Sequence, residues 1–284
     1  MKPSLTTGVP FGTYLELPGV SWSTLSHMRT SPLAYRQNAL HPRAATATMT
    51  LGSAIHAAVL EPAVFAVTYS EFDGRRGTKA HDEWQAEHPG MVDLKPDEWE
   101  QCMGAAHAVR RAIQGRQARR IMRVCRAEAT LRWDDPVSHT RCKARPDLVG
   151  PRVLADLKTT TSVDEHTFCR LAGDMGYHGK MAFASKGLDA IGSRPEEVYI
   201  IAVEQKAPHD VGVFELDAAT LERSERDVDH YLSRLQECRR RRSWPGRYQN
   251  IERLDIADYQ FEPEAFLEDT DISGIGLQLV PRGA

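Results

Sequence analysis

The sequence predicts an α/β fold in which a central mixed β-sheet is flanked by helices and preceded by a helical N-terminal part. Two observations carry that expectation. Strand-like segments cluster at residues 127–133, 139–149, 153–159, 197–205 and 210–216, and helix-like segments precede, separate and follow them. The order is thus helices, a three-strand meander, a helix, two strands and a helix, with no internal repeat. At 284 residues, 41% hydrophobic and 26% charged, the chain can bury one large core with a smaller extension.

Each element has its own signal. Residues 1–50 are turn-rich and polar, with one helix expected around Ser23–Leu40 and Ser21 or Ser23 as its N-cap. "TLGSAIHAAVLEP" reads as a helix begun through Thr50 or Ser53 and stopped by Pro62. Residues 66–96, with "DGRRGTK", "HPG" and "KP", read as a long exposed loop carrying one helical turn around Ala80–Glu87. Asp97 is the expected cap of a helix over 97–123, and another helix is expected over 163–187. A last helix starts at Asp217, buries Leu221, Val228, Leu232 and Leu235, and ends at Pro245. Three parts follow: an N-terminal extension (1–50), a main domain (51–245) and a tail (246–284) whose final "LVPRGA" resembles a cleavage tag.

Composition narrows the function classes. Five scattered cysteines with no C-x-x-C spacing argue against a disulfide framework, a zinc ribbon or a cysteine-held iron–sulfur cluster. No apolar run approaches the roughly 18 residues of a membrane span, and the first residues lack a signal-peptide pattern. A cytoplasmic protein without a membrane partner is the expectation. The net charge is −3, and arginine dominates the bases, 28 against eight lysines. Arg116, Arg119, Arg120, Arg123 and Arg126 recur through one expected helix, and Arg239 to Arg242 are consecutive. Either cluster is a solvated face or a phosphate-binding surface. Trp22, Trp84 and Trp99 read as core or staple residues. No P-loop occurs, and no serine or cysteine has an activating context.

The chemistry concentrates in "RPDLVGPRVLADLKTTT", Arg145 to Thr161. One strand ends near Val149, Gly150-Pro151 turns the chain, and Val153 to Lys158 returns as a hairpin. Side chains alternate along a strand, so Asp156 and Lys158 face one way and Leu157 the other. Three acid-x-Lys triplets occur in the chain. Asp93-Leu94-Lys95 falls in the expected loop, with no strand to align it. Glu204-Gln205-Lys206 ends a strand but has no acid at hairpin distance before it. Only Asp156-Leu157-Lys158 has an upstream strand-end partner, Asp147. Hydrolysis of a phosphodiester needs an activated water and positive charge on the pentacoordinate phosphate. Hard divalent cations supply both, held by oxygens such as those of Asp147, Asp156 and the Leu157 carbonyl, with Lys158 orienting the water. The rival reading is a buried structural ion pair, which burial makes costly and seldom stabilising.

"RPD…ADLKTT" resembles the PD-(D/E)xK nuclease superfamily, and more narrowly the RecE-like phage and prophage exonucleases. Further segments are similar in order: the helix "TLGSAIHAAVLEP", the segment "MVDLKPDEWEQ", the strand "AEATLRW", "GYHGKMAFASKGL" and the strand pair "IIAVEQKAPHDVGVFEL". The resemblance runs from about Ser21 to Arg242. It implies a restriction-endonuclease-like core, with His56 and Glu128 beside the metals. It also implies Mg²⁺ or Mn²⁺ as cofactor, two ions in number, and Tyr177, His178 and Lys180 at the DNA. Lys180 and Ala184 depart from the glutamine and tyrosine usual in relatives, which leaves the grip on DNA there open.

By that resemblance the chain is a metal-dependent exodeoxyribonuclease of a bacterial host's cytoplasm. It would digest linear double-stranded DNA from its ends, 5′ to 3′, exposing a 3′ strand for recombination through a single-strand annealing protein. A ring-shaped homo-oligomer goes with it. Two alternatives stand. One is a structure-specific or single-strand nuclease of the same superfamily, whose Cas4-like form the missing cysteine cluster disfavours. The other is a non-catalytic DNA-binding protein with a decayed site.

Overall fold

The computed structural model describes residues 1–41, 47–111 and 115–256. Met1–Arg247 form one compact unit, and the described part of a second, Tyr248 onward, has no helix or strand. The expected tag sequence lies outside the described residues. Among those described, no helix is long and apolar enough to cross a membrane.

The N-terminal part holds a short strand β1 (Ser4–Thr6), helices α1 (Phe11–Glu16) and α2 (Trp22–Leu25), a 3₁₀ turn (Ser26–Arg29) and helix α3 (Pro32–Leu40). The single helix expected over 23–40 is therefore three pieces. Ser31 and Pro32 explain the last boundary: the serine hydroxyl accepts from the Ala34 amide at 3.1 Å, and proline suits a first helical turn. This part packs within the main unit. β1 pairs with a later strand, Ser4 opposite Arg132 and Thr6 opposite Thr130, and Val20 bridges Cys142.

Next come α4 (Ala47–Leu60), α5 (Pro62–Thr68), β2 (Tyr69–Glu71), α6 (Lys79–Glu87), β3 (Val92–Leu94), α7 (Pro96–Arg110) and α8 (Arg116–Val124). The structure corrects three expectations here. α4 is already helical at Ala47, and Pro62 both ends it and starts α5, because proline tolerates the first turn it cannot extend backwards. Residues 66–96 are not one long loop: β2 and β3 pair in parallel, Tyr69 opposite Val92, and Asp93 sits on a strand, bound to Arg76. The expected 97–123 helix is two helices, its true N-cap being Lys95, whose amide donates to Glu98 at 2.9 Å. Four of the five clustered arginines lie on α8, which buries Ala118 and Ile121, whereas Arg126 opens a strand.

The rest comprises β4 (Arg126–Ala127), β5 (Thr130–Asp134), β6 (Arg141–Ala144), β7 (Leu148–Val149) and β8 (Val153–Thr160). Helices α9 (Glu165–Met175) and α10 (Tyr177–Ala190), strands β9 (Glu197–Glu204) and β10 (Val211–Glu215), and helix α11 (Ala218–Arg241) complete it. A mixed five-stranded sheet runs β10-β9-β8-β7-β4, with β8 and β9 parallel and the other pairs antiparallel. Leu154 on one face of β8 joins the core of Met181 and Phe183 from α10 and Val228 and Leu232 from α11. Ala155 and Leu157 on the other face pack with Ile55 and Val59 of α4 and Val109 of α7. Helices thus cover both faces, as expected for a buried parallel pair.

Two departures shape the centre of the molecule. The meander does not stay in one sheet: β4 and β7 belong to the central sheet, while β5 and β6 form a separate three-stranded sheet with β1. The switch falls at Glu128, whose φ is 55°, and opposite it at Arg145-Pro146-Asp147. Proline gives no ladder donor and a left-handed residue cannot continue a pleat, so the ladder breaks there. One bond spans the break, from the Glu128 amide to the Asp147 carbonyl at 2.9 Å. The second departure is the expected 163–187 helix, which Gly176 divides into α9 and α10 by adopting φ 69°.

Candidate active site

The expected hairpin is present as β7 and β8, paired with Val149 opposite Leu154 and Leu148 opposite Ala155. Asp147, just before β7, is buried, and one of its oxygens accepts from the Leu157 amide at 2.8 Å. Asp156 is buried on β8, and Lys158 bonds to it on the same face. The Lys158 ammonium also reaches the Leu157 carbonyl at 3.3 Å and lies 5.0 Å from the Tyr177 ring. The two aspartates and the lysine therefore converge.

Helices bring in further groups from opposite sides. From α4, the His56 Nε2 lies 2.8 Å from Asp147 Oδ2 and its Nδ1 lies 3.3 Å from Glu128 Oε1. From α10, the Lys180 ammonium donates to Asp147 Oδ1 at 3.0 Å and also to Asp156 Oδ1. The break in the meander is what lets both layers reach one point. These side chains line an open cleft of about 770 Å³, with Phe11, Tyr14, Trp22 and Tyr177 among its apolar walls.

Electrostatics follow from burial among unlike charges. Burial alone would raise the Asp147 carboxyl, but Lys180, His56 and Lys158 hold it well below the usual range, so it stays ionised. Asp156 moves the other way, lifted by burial and by the neighbouring Asp147 charge and only partly offset by the two lysines. For His56, burial favours the neutral ring, yet Asp147 and Glu128 outweigh it and raise the pKa from 6.5 to about 9. Lys180 is likewise raised, because Asp147 and Asp156 outweigh its desolvation.

The donor set suits a hard or borderline divalent cation. Ligand atoms of His56, Glu128 and Asp147 lie within 4.8 Å of one another, an imidazole nitrogen with carboxylate oxygens. Of the residues expected at DNA, Tyr177 and Lys180 line the cleft. His178 is not among the cleft's lining residues: it is hydrogen-bonded to the Ala172 backbone and its pKa is lowered, first by burial and then by Arg29.

Some site residues went unread in the sequence. Arg145 bonds to Glu128, donates to the Val9 carbonyl at 2.6 Å, and lies 5.9 Å from the Phe11 ring and 6.0 Å from the Tyr14 ring. Lys143 is buried and donates to the carbonyls of Tyr14, Leu15 and Leu17 at 3.1, 2.8 and 2.7 Å. Together they pin α1 to the cleft wall. Arg145 adjoins the aspartate in "RPD", which was a usable signal; α1 had none, because its partners lie over 120 residues away.

A family model described as a PDDEXK-like domain of unknown function (DUF3799) matches residues 21–256. The chain belongs to this PDDEXK-like family. Pro146-Asp147 and Asp156-Leu157-Lys158 supply the letters of that motif, and the PDDEXK-like core has the mixed sheet and flanking helices expected of a restriction-endonuclease-like fold. No curated protein sequence matches the chain. Among solved structures, a Eubacterium rectale protein named "Putative exonuclease" is similar, with TM-score 0.60 and 12% identity over 88% of this chain and 97% of that one. At that identity the likeness is one of fold.

Proposed function

We propose that the protein is a metal-dependent deoxyribonuclease acting on the ends of linear double-stranded DNA. The observation that carries the reading is the convergence of Asp147, Asp156 and Lys158 in an open cleft beside His56 and Glu128. Asp147, Glu128 and His56 would hold a divalent cation, with Asp156 and the Leu157 carbonyl at the same carboxylate cluster. Such an ion, Mg²⁺ or Mn²⁺, supplies an acidified water and charge on the phosphate. Lys158, held by Asp156 and the Leu157 carbonyl, orients that water. Tyr177 and Lys180 face the DNA. The name of the Eubacterium rectale neighbour favours exonuclease over endonuclease action.

The finer reading follows the RecE-like resemblance: 5′ to 3′ digestion, a 3′ strand handed to an annealing partner, and a ring of identical chains in a bacterial cytoplasm. The deciding assay uses linear duplex labelled at its 5′ or 3′ end, with and without chelator. Chelator-sensitive release of 5′ label is expected. Rapid cutting of covalently closed circles would point to an endonuclease instead. Asp156→Ala and Lys158→Ala should fold yet lose at least ~10²-fold in rate, the scale of a positioned catalytic group. Near-wild-type cleavage by either would end this reading.

A further inference from the structure

We propose that the Lys180 ammonium stands permanently in the position of a second divalent ion, so that the site takes one such ion and not two. The proposal rests on the metal-dependent reading above, and deepens it.

Asp147 divides its two oxygens between opposite sides of the site, Oδ2 also accepting from the Leu157 amide at 2.8 Å. Its Oδ2 faces His56 at 2.8 Å, on the side of the His56–Glu128–Asp147 donor cluster. Its Oδ1 faces Lys180 at 3.0 Å, and the same ammonium bonds to Asp156 Oδ1. A carboxylate shared by two ions presents its oxygens in this way, but here the Asp147–Asp156 position is filled by a side chain. The remaining Asp156 oxygen, Oδ2, is taken by Lys158. An added ion between the aspartates would have to displace one ammonium or sit against two, and like charges at contact distance repel strongly in a partly buried site.

The charge tally agrees. Glu128, Asp147 and Asp156 are matched by Arg145, Lys158 and Lys180, all in contact with them. One divalent ion then adds a double positive charge facing a phosphodiester, whereas two ions would add twice that, with Glu61 the one further carboxylate among the described residues that line the cleft. Packing fixes where the ammonium arrives. Lys180 follows Gly179, where a Cβ would come within 2.2 Å of the Trp22 ring, so the first turn of α10 lies flush against α2.

Titrating metal-free protein with Mn²⁺, without DNA, tests this by calorimetry and electron paramagnetic resonance. Wild type should take one Mn²⁺ per chain with an uncoupled signal, and Lys180→Gln should take two with a spin-coupled one. Two ions in wild type, or one in a folded Lys180→Gln variant, would overturn the proposal while leaving the nuclease reading intact. Uptake by neither protein would remove both. Should the variant not fold, wild-type crystals soaked in Mn²⁺ decide alone. One anomalous peak beside His56 and Glu128 agrees, and a second between Asp147 and Asp156 refutes.

Discussion

His56 carries a pH signature of its own. Its pKa of about 9, set by Asp147 and Glu128 against burial, means that the metal-free protein holds an imidazolium at neutral pH. A raised histidine contributes stability that is fully present below its ordinary pKa of 6.5 and is lost as pH rises through about 9. Metal-free protein should therefore lose thermal stability between pH 7 and 9.5, and His56→Gln should flatten that slope. A metal-bound imidazole must be neutral, so binding at pH 7.5 should expel ~1 proton per ion. Calorimetry in buffers of different ionisation heat measures this, and buffer-independent heats would contradict it. At this scale Asp147, Asp156 and Lys158 were legible because strand alternation and a tight turn fix their directions locally. Arg145 had a signal in its place beside Pro146-Asp147, but its role was not legible, since its partners are Val9 and Glu128.

Elements decide how the cleft is walled. The left-handed turn at Gly176 ends α9 and re-aims the chain, so that α10 delivers Tyr177 and Lys180 while burying Met181, Phe183 and Leu188. Because a Cβ at Gly179 meets the Trp22 ring, Gly179→Ala should destabilise by ~1–3 kcal/mol, the range for overpacking. A lowered urea midpoint with unchanged slope would show it. α1 depends on Lys143, whose three carbonyl acceptors lie on that helix's last turn and just beyond it. Lys143→Met should raise amide hydrogen exchange across residues 11–17 and leave the central sheet protected. Uniform loosening of the fold would show that Lys143 supports the core instead. The helix start at Asp217 was readable from its cap, whereas the start at Pro32 and the breaks at Gly176 and Glu128 were not. A lone glycine in a helical pattern and a glutamate in a strand pattern look locally regular, and only the packing on either side forces the left-handed turn.

The whole molecule presents a net charge of −3 with basic residues gathered locally. The Arg239–Arg241 run occupies the last turn of α11, where cations complement the helix dipole, so it has a structural account before any phosphate is invoked. Ring assembly makes a whole-molecule prediction: the solution mass should be a multiple of the 31.8 kDa chain at micromolar concentration. Light scattering that returns a single chain would remove the ring and leave the site chemistry standing.

The sequence by itself determined the fold class and the reactive hairpin, because both depend on short-range signals: alternation along β8, a tight turn at Gly150-Pro151, and helix patterns around a cluster of strands. Tertiary structure alone decided that His56 and Lys180 grip opposite oxygens of one aspartate. Those two side chains ride on helices covering opposite faces of the sheet and meet only where the meander changes sheets. No spacing along the chain encodes that meeting, since it is set by how α4 and α10 pack across the sheet.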